Sequence, residues 1–157
     1  MRGVTCSSRV PAQRRFLLLL VAFSLVHGLI YLSLVPPWQH YDEPTHFEYV
    51  RLIVERGQLP EPGDYSLPMR REIAASMAQF DFWGRDAGAR PDLLSPEPPD
   101  VGISELHHPP FYYMLAALPQ AWLHHVPVEV QLYMARAVSV LLNLAVVAAA
   151  WLLAGRL

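Results

Sequence analysis

Three long apolar runs alternate with polar stretches along the chain, at residues 16–35, 109–126 and 137–154. A run of about 20 apolar residues is long enough to cross a bilayer as a helix. The first run meets this requirement best, whereas Pro119 and Gln120 interrupt the second. The pattern therefore predicts an all-α membrane protein with three transmembrane helices.

Two polar segments join these runs: a long one at residues 36–108 and a short one at 127–136. The long segment contains two stretches with apolar residues at helical spacing, which predict amphipathic helices near 43–56 and 68–82. The apolar positions are Phe47, Val50, Ile53 and Val54 in the first stretch, and Met69, Ile73, Met77 and Phe80 in the second. We expect two juxtamembrane helices within one large loop; the first lies along the membrane, and the second either packs against the first or rests in the membrane interface.

The first loop helix has clear start and stop signals. Asp42 is suited to cap its first turn, Pro44 tolerates the first turn because it has no N–H, and Gly57 is a natural stop. If the helix starts there, Asp42, Glu43 and His46 share one face. The residues alone favour a plain helix cap, because caps are common, and a reactive carboxylate pair is the alternative.

Basic residues set the expected orientation. The tail 1–15 carries four arginines and no acid before the first apolar run, so we expect it in the cytoplasm. The loop 36–108 then faces outward, the connection 127–136 is cytoplasmic, and Trp38 is placed to act as an interfacial anchor. The loop contains six arginines against thirteen acidic residues, which argues against a nucleic-acid partner.

A cleaved signal peptide is the alternative interpretation of the first run. Its apolar core is longer than the usual 7–15 residues, and no small-x-small site follows it. The only cysteine, Cys6, lies in the predicted cytoplasmic tail, so the chain has no internal disulfide.

The order of these features resembles the N-terminal part of GT-C-type membrane glycosyltransferases, including protein O-mannosyltransferases and aminoarabinose transferases. The resemblance rests on PPWQHYDEPTHFEYVRLIVERGQLP after the first span, REIAASMAQFDFW in the loop, and HPPFYY at the next apolar run. It covers nearly all of residues 16–157. Since members of this family have many more helices, we expect the chain to be a fragment that is inactive without the remaining helices of the full-length protein.

The resemblance implies an enzyme that takes a sugar from a polyprenyl-phosphate carrier in the membrane lipid and transfers it to an extracytoplasmic acceptor. It implies that Asp42 acts as base or positions the acceptor, with Glu43 beside it. It also implies that His107 and His108 lie near the donor phosphate, although the aminoarabinose transferases have Glu-Lys there. A divalent cation as cofactor is left open, and no metal ligands are assigned.

The predicted chemistry needs a base for the acceptor hydroxyl and positive charge for the departing phosphate. Asp42 and Glu43 are the catalytic candidates, and Arg51, His46, His107 and His108 are the substrate-binding candidates. His46 is also explained as a structural partner of Asp42. The alternative function is a non-enzymatic membrane subunit that binds a partner through its outer loop.

Overall fold

The computed structural model describes residues 9–84, 89–123 and 125–155, with side chains described from residue 13 onward. The described residues form five α-helices and no strand. These are α1 (Arg9–Leu34), α2 (Glu43–Arg56), α3 (Leu67–Gln79), α4 (Phe111–Leu123) and α5 (Val128–Ala154). The all-α prediction is therefore confirmed. Part of the predicted tail 1–15 lies outside the described residues, and from Arg9 the chain is helical.

The described residues form two compact units. One unit, the helix pair, combines α1 with the part of α5 from Ser139 onward, and the other, the loop domain, is Val35–Val138. Helix α5 runs without interruption through Val138 and Ser139, so it belongs to both units.

Two helices are long and apolar enough to cross a membrane, at Gln13–Leu34 and Val128–Ala154. The most apolar window of each contains no buried residue, unlike the core helix of a soluble protein. Within the helix pair, a Cβ on Gly28 would lie 2.7 Å from Cγ1 of Val140, so the small residue permits close helix packing. Length, composition and exposure together favour a membrane protein.

The second predicted span, 109–126, differs in the structure. Helix α4 has only 13 residues and is therefore about 20 Å long, shorter than the roughly 30 Å hydrocarbon core of a bilayer. One of its faces, including Tyr113, Ala116 and Gln120, is buried in the loop domain. The described residues therefore contain two candidate spans, and the predicted connection 127–136 lies almost wholly inside α5.

Packing of α2 against α4 and α3 forms the centre of the loop domain. Helix α2 has the predicted bounds and contributes Phe47, Val50 and Leu52 to the core. It ends at Arg56, and the C-cap Gly57 has a φ of +65°, the left-handed conformation expected of a helix-terminating glycine. Local signals in the sequence were therefore sufficient to define this helix.

Helix α3 buries the predicted stripe residues Met69, Ile73 and Met77. It ends at Gln79, three residues before the predicted end, and Phe80 is its C-cap. Asp81 then adopts a positive φ of 55°, which interrupts the helical conformation. The stripe is a core contact of the loop domain.

Trp38 is fully buried, so the prediction of an interfacial anchor was wrong. Its Nε1–H donates a 2.9 Å hydrogen bond to Oγ of Ser76 on α3, and its backbone has a positive φ of 64°. Ser76 in turn donates to Oε1 of Glu129 on α5. A buried indole needs a partner for its N–H, and here that partner links the segment after α1 to the core.

Candidate functional site

The carboxylate of Asp42 does not cap α2, although Asp42 occupies the N-cap position. Its main-chain carbonyl accepts a 2.9 Å hydrogen bond from the Thr45 hydroxyl, whereas its side chain makes no cap hydrogen bond. Oδ2 instead lies 3.6 Å from Nε2 of His46, and the side chain is 37% exposed. The interpretation of this carboxylate as a plain cap is therefore wrong, and the group remains accessible.

Glu43 points to a different partner. Its Oε1 accepts a 2.6 Å hydrogen bond from Nε of Arg136, and its Oε2 accepts bonds from Nη2 of Arg136 at 2.8 Å and from the Trp38 N–H at 2.8 Å. The two ion-paired side chains are only 12% and 5% exposed. Both carboxylate oxygens of Glu43 therefore accept hydrogen bonds. Glu43 pairs with Arg136 whereas Asp42 lies beside His46, so the three residues predicted to share one face have different partners.

Arg136 also joins the two ends of the loop domain. Its Nη1 donates to the carbonyl of Val35 at 2.5 Å, and its Nη2 donates to that of Pro36 at 2.9 Å. Because the same guanidinium holds Glu43, the arginine fixes the chain before α2 and the start of α2 together. Glu43 consequently has a structural role in placing Asp42.

His46 lies between Asp42 and α4. Its Nδ1 is 2.7 Å from Oη of Tyr113, and the two rings stack with centroids 5.8 Å apart. Burial, followed by the negative charge of Glu105 and smaller contributions that include Asp42, raises the pKa of Tyr113 to about 12. The hydroxyl is therefore protonated at neutral pH.

A protonated Tyr113 can donate its hydrogen to Nδ1 of His46. The proton of a neutral imidazole then lies on Nε2, which faces Asp42; this tautomer is assigned from the hydrogen bond. Asp42 thus faces an imidazole whose orientation is set by a residue of another helix. Orientation of this kind is what a proton-transfer site requires.

Two histidines before α4 complete the arrangement. The His108 ring meets the His46 ring edge-on at 5.9 Å between centroids, and its Nε2 is 3.1 Å from Oε2 of Glu105. The ring of Tyr49 stacks on Tyr113 at 3.9 Å. We refer to these residues as the His–Tyr cluster: Asp42, His46, Tyr49, Glu105, His107, His108 and Tyr113.

Glu105, His107 and His108 are a group that could hold a metal ion, because one ligand atom from each lies within 4.8 Å of the others. A carboxylate with two imidazoles suits Zn²⁺. Metal–ligand bonds of about 2.0–2.1 Å place tetrahedral ligands roughly 3.4 Å apart, so the His108–Glu105 distance already fits. His107 is exposed, and rotation of its side chain would complete the group.

The structure therefore brings together four of the predicted site residues: Asp42, His46, His107 and His108. Arg51 is not joined to them by an ion pair; its Nη1 lies 3.0 Å from Oε2 of Glu72, on the side of α2 that faces α3. Glu43 is engaged by Arg136.

Three members of the cluster were missed by sequence reasoning: Tyr49, Glu105 and Tyr113. Tyr49 follows His46 at helical i, i+3 spacing, which was a usable signal. Tyr113 lies within residues 109–126, for which the sequence pattern predicted only a membrane helix. Its role depends on the packing of α4 against α2, which no local pattern reveals.

Comparison with known proteins provides no family for this chain: no protein-family model, curated protein or solved structure matches it.

Proposed function

We propose that the chain is the N-terminal part of an integral membrane glycosyltransferase that moves a sugar from a polyprenyl-phosphate carrier to an extracytoplasmic acceptor. The observation that carries this proposal is the accessible carboxylate of Asp42, which is free of helix capping and lies beside a histidine oriented by Tyr113. Two helices apolar enough to cross a membrane support contact with a lipid-linked donor.

In the proposed reaction, the acceptor hydroxyl gives its proton to Asp42 as its oxygen bonds to the anomeric carbon. The bond from that carbon to the carrier phosphate breaks, and the phosphate leaves with the electron pair. Direct displacement inverts the anomeric centre. His46 orients Asp42, and general-base catalysis of this kind contributes about 10²–10⁴-fold to the rate.

The departing phosphate needs positive charge, which His107 and His108 supply when they are protonated. If a divalent cation is bound by Glu105, His107 and His108, it would supply Lewis-acid stabilisation of that phosphate. Arg51 is a weaker candidate for donor binding because Glu72 already pairs with it. Glu43 is assigned a positioning role through Arg136.

The topology that supports this function has an N-terminus in the cytoplasm and the loop domain outside. The hydrogen bonds of Arg136 to Val35, Pro36 and Glu43 support a topology in which residue 136 is on the same side of the membrane as the start of the loop. A version with two spans, α1 leaving the cytoplasm and α5 returning to it, fits these contacts. The three-span topology predicted from the sequence would instead place Arg136 and Glu43 on opposite sides of the membrane.

Transfer by the full-length protein, with the remaining helices, in membrane vesicles tests the proposal when it is assayed with a panel of polyprenyl-phosphate sugars. We expect Asp42→Asn to reduce transfer at least about 10²-fold. Asp64→Asn is the matched control, because Asp64 pairs with Arg56 outside the cluster and should leave transfer unchanged. Unchanged transfer by correctly inserted Asp42→Asn would refute the proposed role of Asp42. Complex formation by a wild type without any turnover would favour the membrane-subunit alternative.

A further inference from the structure

Helix α4 has two unlike faces. One is buried in the loop domain and includes Tyr113 and Gln120. The other exposes Phe111, Met114, Leu118 and Trp122, with exposed fractions of 72%, 48%, 62% and 84%. We refer to these four residues as the α4 stripe. Its spacing of three, four and four residues keeps all four side chains on one side of a helix.

The stripe is an unusual surface for contact with water. It extends over about 16 Å of helix, and α4 contains no charged residue. A contiguous exposed apolar surface of this kind marks an interaction site. Because α4 is too short to cross a bilayer, a transmembrane position does not account for it.

The connections of the loop domain indicate what covers the stripe. Val35 directly follows α1, and α5 continues from Val138 into the apolar stretch that begins at Ser139. The loop domain is therefore joined directly to a candidate membrane span at each of its ends, to α1 before Val35 and to α5 after Val138. A domain tethered in this way stays within reach of the lipid headgroups.

The residues at the ends of the stripe fit the same environment. Phe111 and Tyr112 lie at one end of α4, and Trp122 lies at the other. Aromatic rings, Trp and Tyr above all, are enriched at the membrane–water boundary, where an apolar body meets lipid and a polar tip meets water. An amphipathic helix that lies in this layer buries its apolar face about 5–10 Å into the lipid.

We propose that α4 lies in the plane of the outer lipid boundary, with the α4 stripe in contact with phospholipid. Tyr113 is on the opposite face of the same helix, so the depth of the stripe determines the depth of the His–Tyr cluster. The cluster is then held at the level of the headgroups. This inference concerns placement in the membrane and does not depend on transferase activity.

Depth measurements on the full chain in vesicles of phosphatidylcholine and phosphatidylglycerol test this proposal. Cys6 is the only cysteine, so Cys6→Ser gives a background for single labels. A polarity-sensitive NBD label is attached in separate variants at Leu118→Cys and Trp122→Cys. The reference for lipid contact is Leu152→Cys on α5, and the reference for water is Glu61→Cys in the connector between α2 and α3; both positions are exposed.

We expect doxyl-labelled lipids to quench the labels at positions 118, 122 and 152, and aqueous iodide to quench only the label at 61. Quenching at 118 and 122 by iodide alone would overturn the proposal. Protection from both quenchers, together with disulfide-linked dimers of the unlabelled variants, would overturn it in favour of a second copy on the stripe. A label at 152 that remains in water would overturn it as well, since the proposal requires membrane insertion. Because no substrate is used, failure of this test is distinct from failure of the transferase proposal.

Discussion

The ion pair between Glu43 and Arg136 provides the sharpest test of how the loop domain is held together. The two residues are 93 positions apart, and their side chains are joined by two hydrogen bonds of 2.6 and 2.8 Å. Arg136 has two further acceptors, the carbonyls of Val35 and Pro36. Replacing Arg136 by Ala removes all four bonds and deprives the Glu43 carboxylate, whose side chain is 12% exposed in the intact pair, of its cation.

The expected loss is large because the pair is shielded from water. Removing one member of a buried ion pair costs about 3–5 kcal/mol in unfolding free energy, since the other charge stays buried without compensation. We therefore expect Arg136→Ala to lose about 3–5 kcal/mol. Glu43→Gln should lose less, because the amide oxygen can still accept the Trp38 N–H.

Arg51 and Glu72 form the matched control. This pair also joins a cation to a carboxylate, at 3.0 Å, but its side chains are 18% and 45% exposed. Solvent screening limits such pairs to about 0–1 kcal/mol. Arg51→Ala is therefore expected to change the unfolding free energy by less than about 1 kcal/mol.

Pulse proteolysis in detergent across a urea series measures the unfolding free energy of each variant. The double variant Glu43→Gln/Arg136→Ala should lose less than the sum of the single losses, with a coupling energy of about 0.5–3 kcal/mol. Equal losses for Arg136→Ala and Arg51→Ala, or strictly additive single losses, would contradict the claim that the buried pair stabilises the loop domain.

Three further variants test other parts of the molecule. The pKa of Tyr113 is raised from 10.0 to about 12. The contribution of the neutral hydroxyl to the unfolding free energy is therefore complete below pH 10 and is lost as the pH rises toward 12. In Tyr113→Phe, the unfolding free energy measured against pH should decline less over this range. Gly57→Ala should cost about 1 kcal/mol from backbone strain at φ +65° without a steric clash, and equal thermal stability would contradict this. His107→Ala should weaken Co²⁺ binding at least about tenfold, as measured by visible absorption, because His107 belongs to the candidate metal group. His40→Ala is the control and should leave the affinity unchanged. An unchanged affinity in His107→Ala would exclude His107 as a ligand.

Much of the local structure follows from the sequence alone. Helix α2 has the expected bounds because a proline in its first turn and a glycine after its last turn act within a few residues of each end. The α3 stripe is similarly a matter of spacing. These signals depend only on residues a few positions apart, so the helix bounds and the buried stripe can be predicted directly from the sequence.

Other features were decided by tertiary packing. Asp42 and Glu43 are adjacent and chemically alike, yet one remains accessible beside His46 and the other is held by an arginine far along the chain. Trp38 follows a candidate span at the position of an interfacial anchor, and its indole nevertheless finds Ser76 in the core.

From the sequence alone, the all-α class, the long apolar helices α1 and α5, and the loop helices α2 and α3 could be predicted, whereas α4 was predicted as a third span. The packing of α4 against α2, the accessibility of Asp42 rather than Glu43, and the orientation of His46 by Tyr113 became visible only in the folded chain. This difference arises because hydropathy and helix signals act over one or two turns. The partner of a charged or aromatic side chain is instead chosen by packing among helices distant in the chain, where burial makes each unpaired polar group costly.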